Sequence, residues 1–194
     1  MSIAKKTDLI TEAEYLEGEQ FSDVRHEYMN GKVYAMVGAT RNHNLISVNV
    51  LREIGVHLKG KPCQPFMSDM KVKVDNQFFY PDILVDCSED ADGKSLFTEN
   101  PVIIIEVLSD STNRMDKTIK FSAYKNIPSL EEYVLIEQNY LNIEVFRRSD
   151  RWHGQVYLAG ENITFESLGL TMSVEAIYDG VKIEDLKNEH HTRL

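Results

Sequence analysis

The run Val102-Ile103-Ile104-Ile105-Glu106-Val107-Leu108 constrains the fold more than any other part of the chain. An unbroken Ile/Val stretch reads as a strand covered on both faces. Glu106 lies inside it, and a carboxylate there is costly unless it is paired, protonated or bound to a cation. A second apolar strand is expected to begin in Phe78-Phe79-Tyr80-Pro81-Asp82 and to run through Ile83, Leu84 and Val85. It carries Asp82 directly after a proline at its mouth. A helix over Asn113 to Asn126 follows, with Asp116, Lys120 and Tyr124 four apart on one face. Two strand-borne carboxylates and a nearby lysine are what metal-assisted phosphodiester hydrolysis needs. An ordinary buried ion pair would use the same residues.

The flanking segments have their own signals. Thr11 with Glu14 forms a capping-box pattern, predicting a short helix from Thr11 to near Gly18 that docks through Tyr15 and Leu16. Asn30-Gly31 predicts a tight hairpin and puts Glu27 near its turn, either projecting toward a cleft or solvated on an edge strand. Arg41 to Leu58 reads as a helix with Leu45, Val48, Leu51 and Ile54 or Gly55 on its apolar side, extended by Val56 and Leu58. His43, in its first turn, is placed to contact a phosphate or a metal-bound water, or simply to cap the helix. Lys61 to Asp75 reads as a strand pair, with Asp69 mainly a turn or edge residue and, alternatively, a neighbour of the acid cluster. Ser88 to Asn100 does not fit a calcium loop and reads as a solvated connection.

Beyond the central helix, residues 131–136 and 141–146 read as a hairpin, Trp152 to Leu158 as another strand, and Ile163-Thr164-Phe165 as a short edge strand. A packed return with a short helix around Ser173 to Tyr178 closes the fold. The Asp116–Lys120 pair has the favourable i,i+4 orientation. It is either surface decoration or, if that face looks toward Glu106, a means of bringing Lys120 to a scissile phosphate. His190-His191 is too terminal to support a metal site.

With 194 residues, 42% of them hydrophobic, the chain suits one domain over 1–194, with 1–10 and 186–194 expected to be flexible. No stretch approaches the roughly 18 apolar residues of a membrane span, and the opening lacks the apolar run of a signal peptide; a cytoplasmic protein with no membrane partner is the expectation. Cys63 and Cys87 are expected as free thiols, Cys87 packed at a strand end. The net charge of −10 argues against a broad basic surface for DNA. A local positive groove is still open to Lys71, Lys73, Lys117, Lys120, Lys125, Arg147, Arg148 and Arg151.

Four pieces in order, Arg25-x-Glu27-Tyr28-x-x-Gly31, Pro81-Asp82, Glu106-Val107-Leu108-Ser109-x-Ser111-Thr112 and Asp116-x-x-x-Lys120-x-x-x-Tyr124, together resemble the Uma2 family of restriction-endonuclease-like proteins, within the PD-(D/E)XK nuclease superfamily. The phrase Ile127-Pro128-Ser129-Leu130-Glu131-Glu132-Tyr133 is similar in style, and the resemblance runs from about Thr11 to Tyr178. It implies an α/β fold with a mixed sheet flanked by helices and an added N-terminal helix and hairpin. It also implies that Asp82, Glu106, the Val107 carbonyl and Glu27 bind Mg²⁺ or Mn²⁺, and that Lys120 assists catalysis, with His43 and Asp116 as accessories. Leu108 stands where the superfamily carries its lysine, and Lys120 is expected to supply it from the following helix. The activity implied is DNA endonuclease. A homodimer is expected separately, through an exposed edge strand or the apolar stretch around Trp152. A catalytically silent nuclease-like protein that binds nucleic acid or a protein is the alternative, and a core held by structural ion pairs is a third reading.

Overall fold

The computed structural model describes residues 9–89, 93–110 and 112–183. Expectations for the outer ends, His190-His191 among them, and for Asp90, Asp92 and Ser111 fall outside the described residues. In chain order the first half forms α1 (Glu12–Glu19), β1 (His26–Met29), β2 (Lys32–Ala35), α2 (Arg41–Leu58), β3 (Gln64–Met67), β4 (Lys71–Val74), β5 (Gln77–Phe79), β6 (Ile83–Asp86), β7 (Phe97–Thr98) and β8 (Pro101–Leu108). The second half forms α3 (Asn113–Met115), a π-helical turn (Asp116–Lys120), α4 (Phe121–Tyr124), β9 (Glu132–Glu137), β10 (Ile143–Arg147), β11 (Gly154–Tyr157), β12 (Asn162–Phe165), β13 (Leu170–Ser173) and α5 (Val174–Ile177).

Local chemistry explains several boundaries. The Thr11 side chain accepts from Glu14 N–H while the Glu14 carboxylate takes the Thr11 N–H, closing the capping box on α1. Asn30 and Gly31 both adopt positive φ, 50° and 88°, which a two-residue hairpin turn requires between β1 and β2. The Thr40 side chain caps α2 by accepting from His43 N–H.

The central sheet has the order β11-β10-β9-β8-β6-β3; β8 runs parallel to β9 and antiparallel to β6. Strand alternation splits its core in two. Ile83, Val85, Ile103, Ile105, Val107 and Val134 face α2 and α5, whereas Leu84, Ile104, Leu108 and Leu135 face α4 and the second sheet. That second sheet has the order β2-β1-β5-β4-β7, and β12 pairs with β13 alone. The expected mixed α/β fold is present, its N-terminal hairpin built into the second sheet.

Several expectations are corrected. The buried stripe of α2 is Ile46, Val50, Ile54 and Leu58, while Val48 and Val56 are exposed. Asn49 belongs to the buried side because its amide donates to the Ile177 and Asp179 carbonyls, which docks the end of α5. A polar residue thus marks the core face, while Val48 faces out and Leu51 only partly packs against the core. Lys61 to Asp75 is not a strand pair, since β3 joins β6 and β4 joins β5 in different sheets. Phe78 and Phe79 end β5, so the central strand begins only at Ile83. The Ser88 to Asn100 connection contains β7, parallel to β4. Trp152 is not free for a partner: it packs edge-on to Phe121 beneath the Arg148 guanidinium.

The thiols are also corrected: Cys63 and Cys87 form a disulfide. The antiparallel register pairs Gln64 with Asp86, which brings the residue before one strand opposite the residue after the other. Among the described residues no helix is long and apolar enough to cross a membrane.

Candidate active site

β6 is shorter than β8, and the last pair between them is Ile83 with Ile105. Beyond it the edge of β8 has no strand partner on that side, and Asp82 takes over. Its Oδ2 accepts from Val107 N–H at 2.7 Å, and its own N–H approaches Glu106 Oε2 at 3.4 Å. The proline-led aspartate and the acid of the Ile run therefore meet where two strands part. His43 arrives from the first turn of α2, its Nε2 3.2 Å from Asp82 Oδ2.

Glu106 alternates with Ile104 and Leu108, so it faces the helix that carries the π turn. There Lys120 Nζ lies 3.0 Å from Glu106 Oε1, 2.9 Å from Glu27 Oε1 and 3.2 Å from Asp116 Oδ1. Tyr124 O–H donates to the same Glu106 oxygen at 3.3 Å, and Tyr80 N–H donates to Glu27 Oε1 at 3.3 Å. The Asp116–Lys120 pair is thus no surface decoration, and Glu27 is no solvated edge acid: all four charged residues of the cluster are at most 5% exposed. Asp116 Oδ1, although near the ammonium, lies outside hydrogen-bond geometry and is left without a hydrogen-bond partner. Tyr133 O–H donates to the Asp116 carbonyl and pins the π turn, a helix irregularity that recurs at functional sites.

Charge is out of balance here. Burial pushes Glu106 well above the ordinary carboxylate range; Lys120 opposes that shift, and Asp116, Asp82 and Glu27 reinforce it. Burial works against the Lys120 ammonium, but Glu106, Glu27 and Asp116 outweigh it and hold the group charged. Burial likewise opposes the His43 imidazolium, and the hydrogen bond and charge of Asp82 carry its pKa upward all the same. His43 Nδ1 is buried without a hydrogen-bond partner.

The cluster opens into a cleft of about 740 Å³. Seven acids line it, Asp23, Glu27, Asp69, Asp82, Glu106, Asp110 and Asp116, against Arg25, Lys120 and His43. Of the eight basic residues that could have made a positive groove, Lys120 alone lines this cleft. Lys73 and Lys117 pair with Glu12 and Glu137, and Arg147 is buried with Glu132.

Every residue expected at the site is brought to it: Glu27, His43, Asp82, Glu106, Val107, Asp116 and Lys120 all line the cleft. Sequence reading gave no role to Arg25, which pairs with Asp69 at the cleft wall (3.1 Å), or to the Tyr80 N–H that holds Glu27. Arg25 stands two residues before Glu27, a spacing that puts both on one side of an extended segment.

Residues 12–175 match the Uma2 family, described as "Putative restriction endonuclease". The chain is 34% identical over 172 residues to the uncharacterized protein slr1290 of Synechocystis sp., covering 87% of this chain and 90% of that protein. It is 33% identical over 171 residues to the uncharacterized protein sll1609 of the same organism, covering 86% and 97%. In fold it is similar to the crystal structure of a "putative nuclease belonging to DUF820" from Anabaena variabilis, with a TM-score of 0.74 and 18% identity, covering 87% of this chain and 97% of that one.

Proposed function

Because the chain belongs to the Uma2 family, and its buried acids meet at the open end of β8, we propose that it is a metal-dependent endonuclease hydrolysing phosphodiester bonds in DNA. The observation that carries this reading is the convergence of Asp82 and Glu106 beside the Val107 backbone, with a buried ammonium 3.0 Å from Glu106. The family description supports a nuclease; the cation and the DNA substrate are inferred from the donor chemistry.

The residues present fit a hard divalent cation. Asp82, Glu106 and the Val107 carbonyl offer oxygen donors, the set that Mg²⁺ or Mn²⁺ takes, and Glu27 stands behind them. Four carboxylates against one lysine and one histidine leave negative charge that a cation would balance. Among the described residues, no three His, Cys, Asp or Glu side chains are gathered closely enough to hold a metal by themselves; the backbone carbonyl and water would complete the shell. Such an ion, when bound, supplies a water of lowered pKa and polarises the phosphate.

The remaining chemistry belongs to the chain. Lys120, charged and buried, meets the negative charge that builds on the phosphate in the transition state. His43 and the Val107 N–H hold Asp82 Oδ2, which fixes that carboxylate. Asp116 and Glu27 keep Lys120 in place before substrate arrives. Cleavage of DNA with Mg²⁺ or Mn²⁺, abolished by a chelator and in Asp82→Ala, is the expected result; equal cleavage by the variant would refute the assignment.

A second reading, a catalytically silent nuclease-like protein that binds nucleic acid or a protein, is favoured by the three carboxylates that already engage Lys120. Cation-dependent turnover rejects it. We further read the protein as a homodimer joined through an exposed sheet edge, β2 or β11, with sedimentation as the test, and as cytoplasmic. The Cys63–Cys87 bridge stands against that compartment, where thiols are kept reduced; thiol labelling in intact cells decides.

A further inference from the structure

We infer that Lys120 is the cation's built-in competitor: its ammonium keeps Glu106 closed to a divalent ion until a substrate phosphate draws it away. This rests on the reading of the cleft as a cation-assisted hydrolase and describes how that same site is switched on.

The ammonium is placed where a metal's charge would otherwise be needed. Lys120 Nζ stands within 3.2 Å of three carboxylates, Glu27, Glu106 and Asp116, and is 5% exposed. Glu106 Oε1 is taken twice over, by Lys120 and by the Tyr124 hydroxyl. The other oxygen, Oε2, faces the Asp82 N–H at 3.4 Å. A dication shared by Asp82 and Glu106 would therefore sit beside a positive charge 3.0 Å from one of its own ligands. Like charges a few ångströms apart in a partly buried site repel strongly enough to weaken binding by orders of magnitude.

Release is assigned to the side chain. Lysine carries its charge on a flexible four-carbon stem, and Lys120 lines the cleft beside Asp82 and His43. A phosphate oxygen in the cleft offers the ammonium an alternative anion and leaves Glu106 free. Binding linkage then makes the effect reciprocal: phosphodiester tightens the cation by the factor with which the cation tightens phosphodiester. A lysine that only orients water and keeps its place among the acids would weaken the cation equally with and without phosphodiester, so the coupling between the two ligands separates the roles.

The test is calorimetric titration of Mn²⁺ into the full chain, with and without a short phosphorothioate oligonucleotide. For Lys120→Met, Mn²⁺ alone should bind about tenfold or more tightly than to the wild type, and the gain on adding the oligonucleotide should shrink. Lys120→Gln, whose amide keeps a donor among the acids, makes the same comparison should the methionine variant fail to fold. Unchanged or weaker Mn²⁺ binding in the folded variant overturns the inference, while wild-type cation binding and cleavage would leave the functional reading intact. No Mn²⁺ binding to either protein, with or without oligonucleotide, overturns both.

Discussion

Two of the buried ion clusters among the described residues are built to opposite standards. Around Arg147, each side-chain nitrogen and both Glu132 carboxylate oxygens have a partner. Arg147 Nε meets Glu132 Oε1 at 3.0 Å, its two terminal nitrogens donate to Gln155, Tyr157 and the Thr164 carbonyl, and Glu132 Oε2 accepts from both the N–H and the hydroxyl of Ser167. Around Lys120, three carboxylates crowd one ammonium, Asp116 Oδ1 lacks a hydrogen-bond partner, and burial lifts Glu106 out of the usual carboxylate range. The first cluster braces β10 against β9, β11 and β12. The second opens into the largely acidic cleft. Paired nitrogens and oxygens belong to a structural role; the charge surplus at the cleft is the feature on which the proposed cation site rests.

Mutations that separate the clusters should separate stability from chemistry. The largest effect is expected in cleavage rate: Asp82→Ala and Glu106→Gln each lower it by about a thousandfold, whereas Glu132→Gln leaves it within a few-fold in single-turnover assays. Next, Arg147→Met strands the buried Glu132 carboxylate and should cost about 3–5 kcal/mol in urea unfolding. Glu106→Gln, which removes a surplus charge, should cost much less or stabilise the chain. If the two substitutions cost the same, the clusters do not differ in kind.

The pH dependence sharpens the contrast. Folded Glu106 holds its proton more tightly than the unfolded chain does. Between the ordinary carboxylate value of 4.5 and its raised value, the native state carries the extra proton. Stability from this group is therefore lost as pH rises through that window, and the loss is complete above it. Subtracting the Glu106→Gln curve from the wild-type curve should expose this downward slope; a flat difference would remove the surplus-charge argument. The smallest effect belongs to Ser167→Ala, which takes one of two donors from Glu132 Oε2 and should cost about 1 kcal/mol by thermal melting.

What could be read in the sequence follows the same division. Local signals were sufficient where the answer is local: the Thr11–Glu14 cap, the Asn30-Gly31 turn, and the limits of α2. The acids at the site were legible because each breaks a pattern, Glu106 an Ile run and Asp82 a strand mouth. Features that depend on pairing between distant strands were not. The Cys63–Cys87 bridge needs the β3–β6 register, and the division of β4 from β3 needs to know which sheet each joins. The buried face of α2 was misread because Leu45, Val48 and Leu51 form a rival stripe, and because Asn49 is buried through carbonyls that lie some 130 residues away. The π turn and the His43–Asp82 contact have no sequence signature at all. Each arises from how α2 and the central helix pack against the two faces of one sheet.

The most direct test is a thermal melt of wild type, Glu106→Gln and Glu132→Gln, each with and without Mn²⁺ and a phosphorothioate oligonucleotide. A site that binds cation and phosphate together raises the melting temperature of the wild type and of Glu132→Gln, but not of Glu106→Gln. The same upward shift in all three proteins, or none in the wild type, would contradict the assignment of the Lys120 cluster as the cation site.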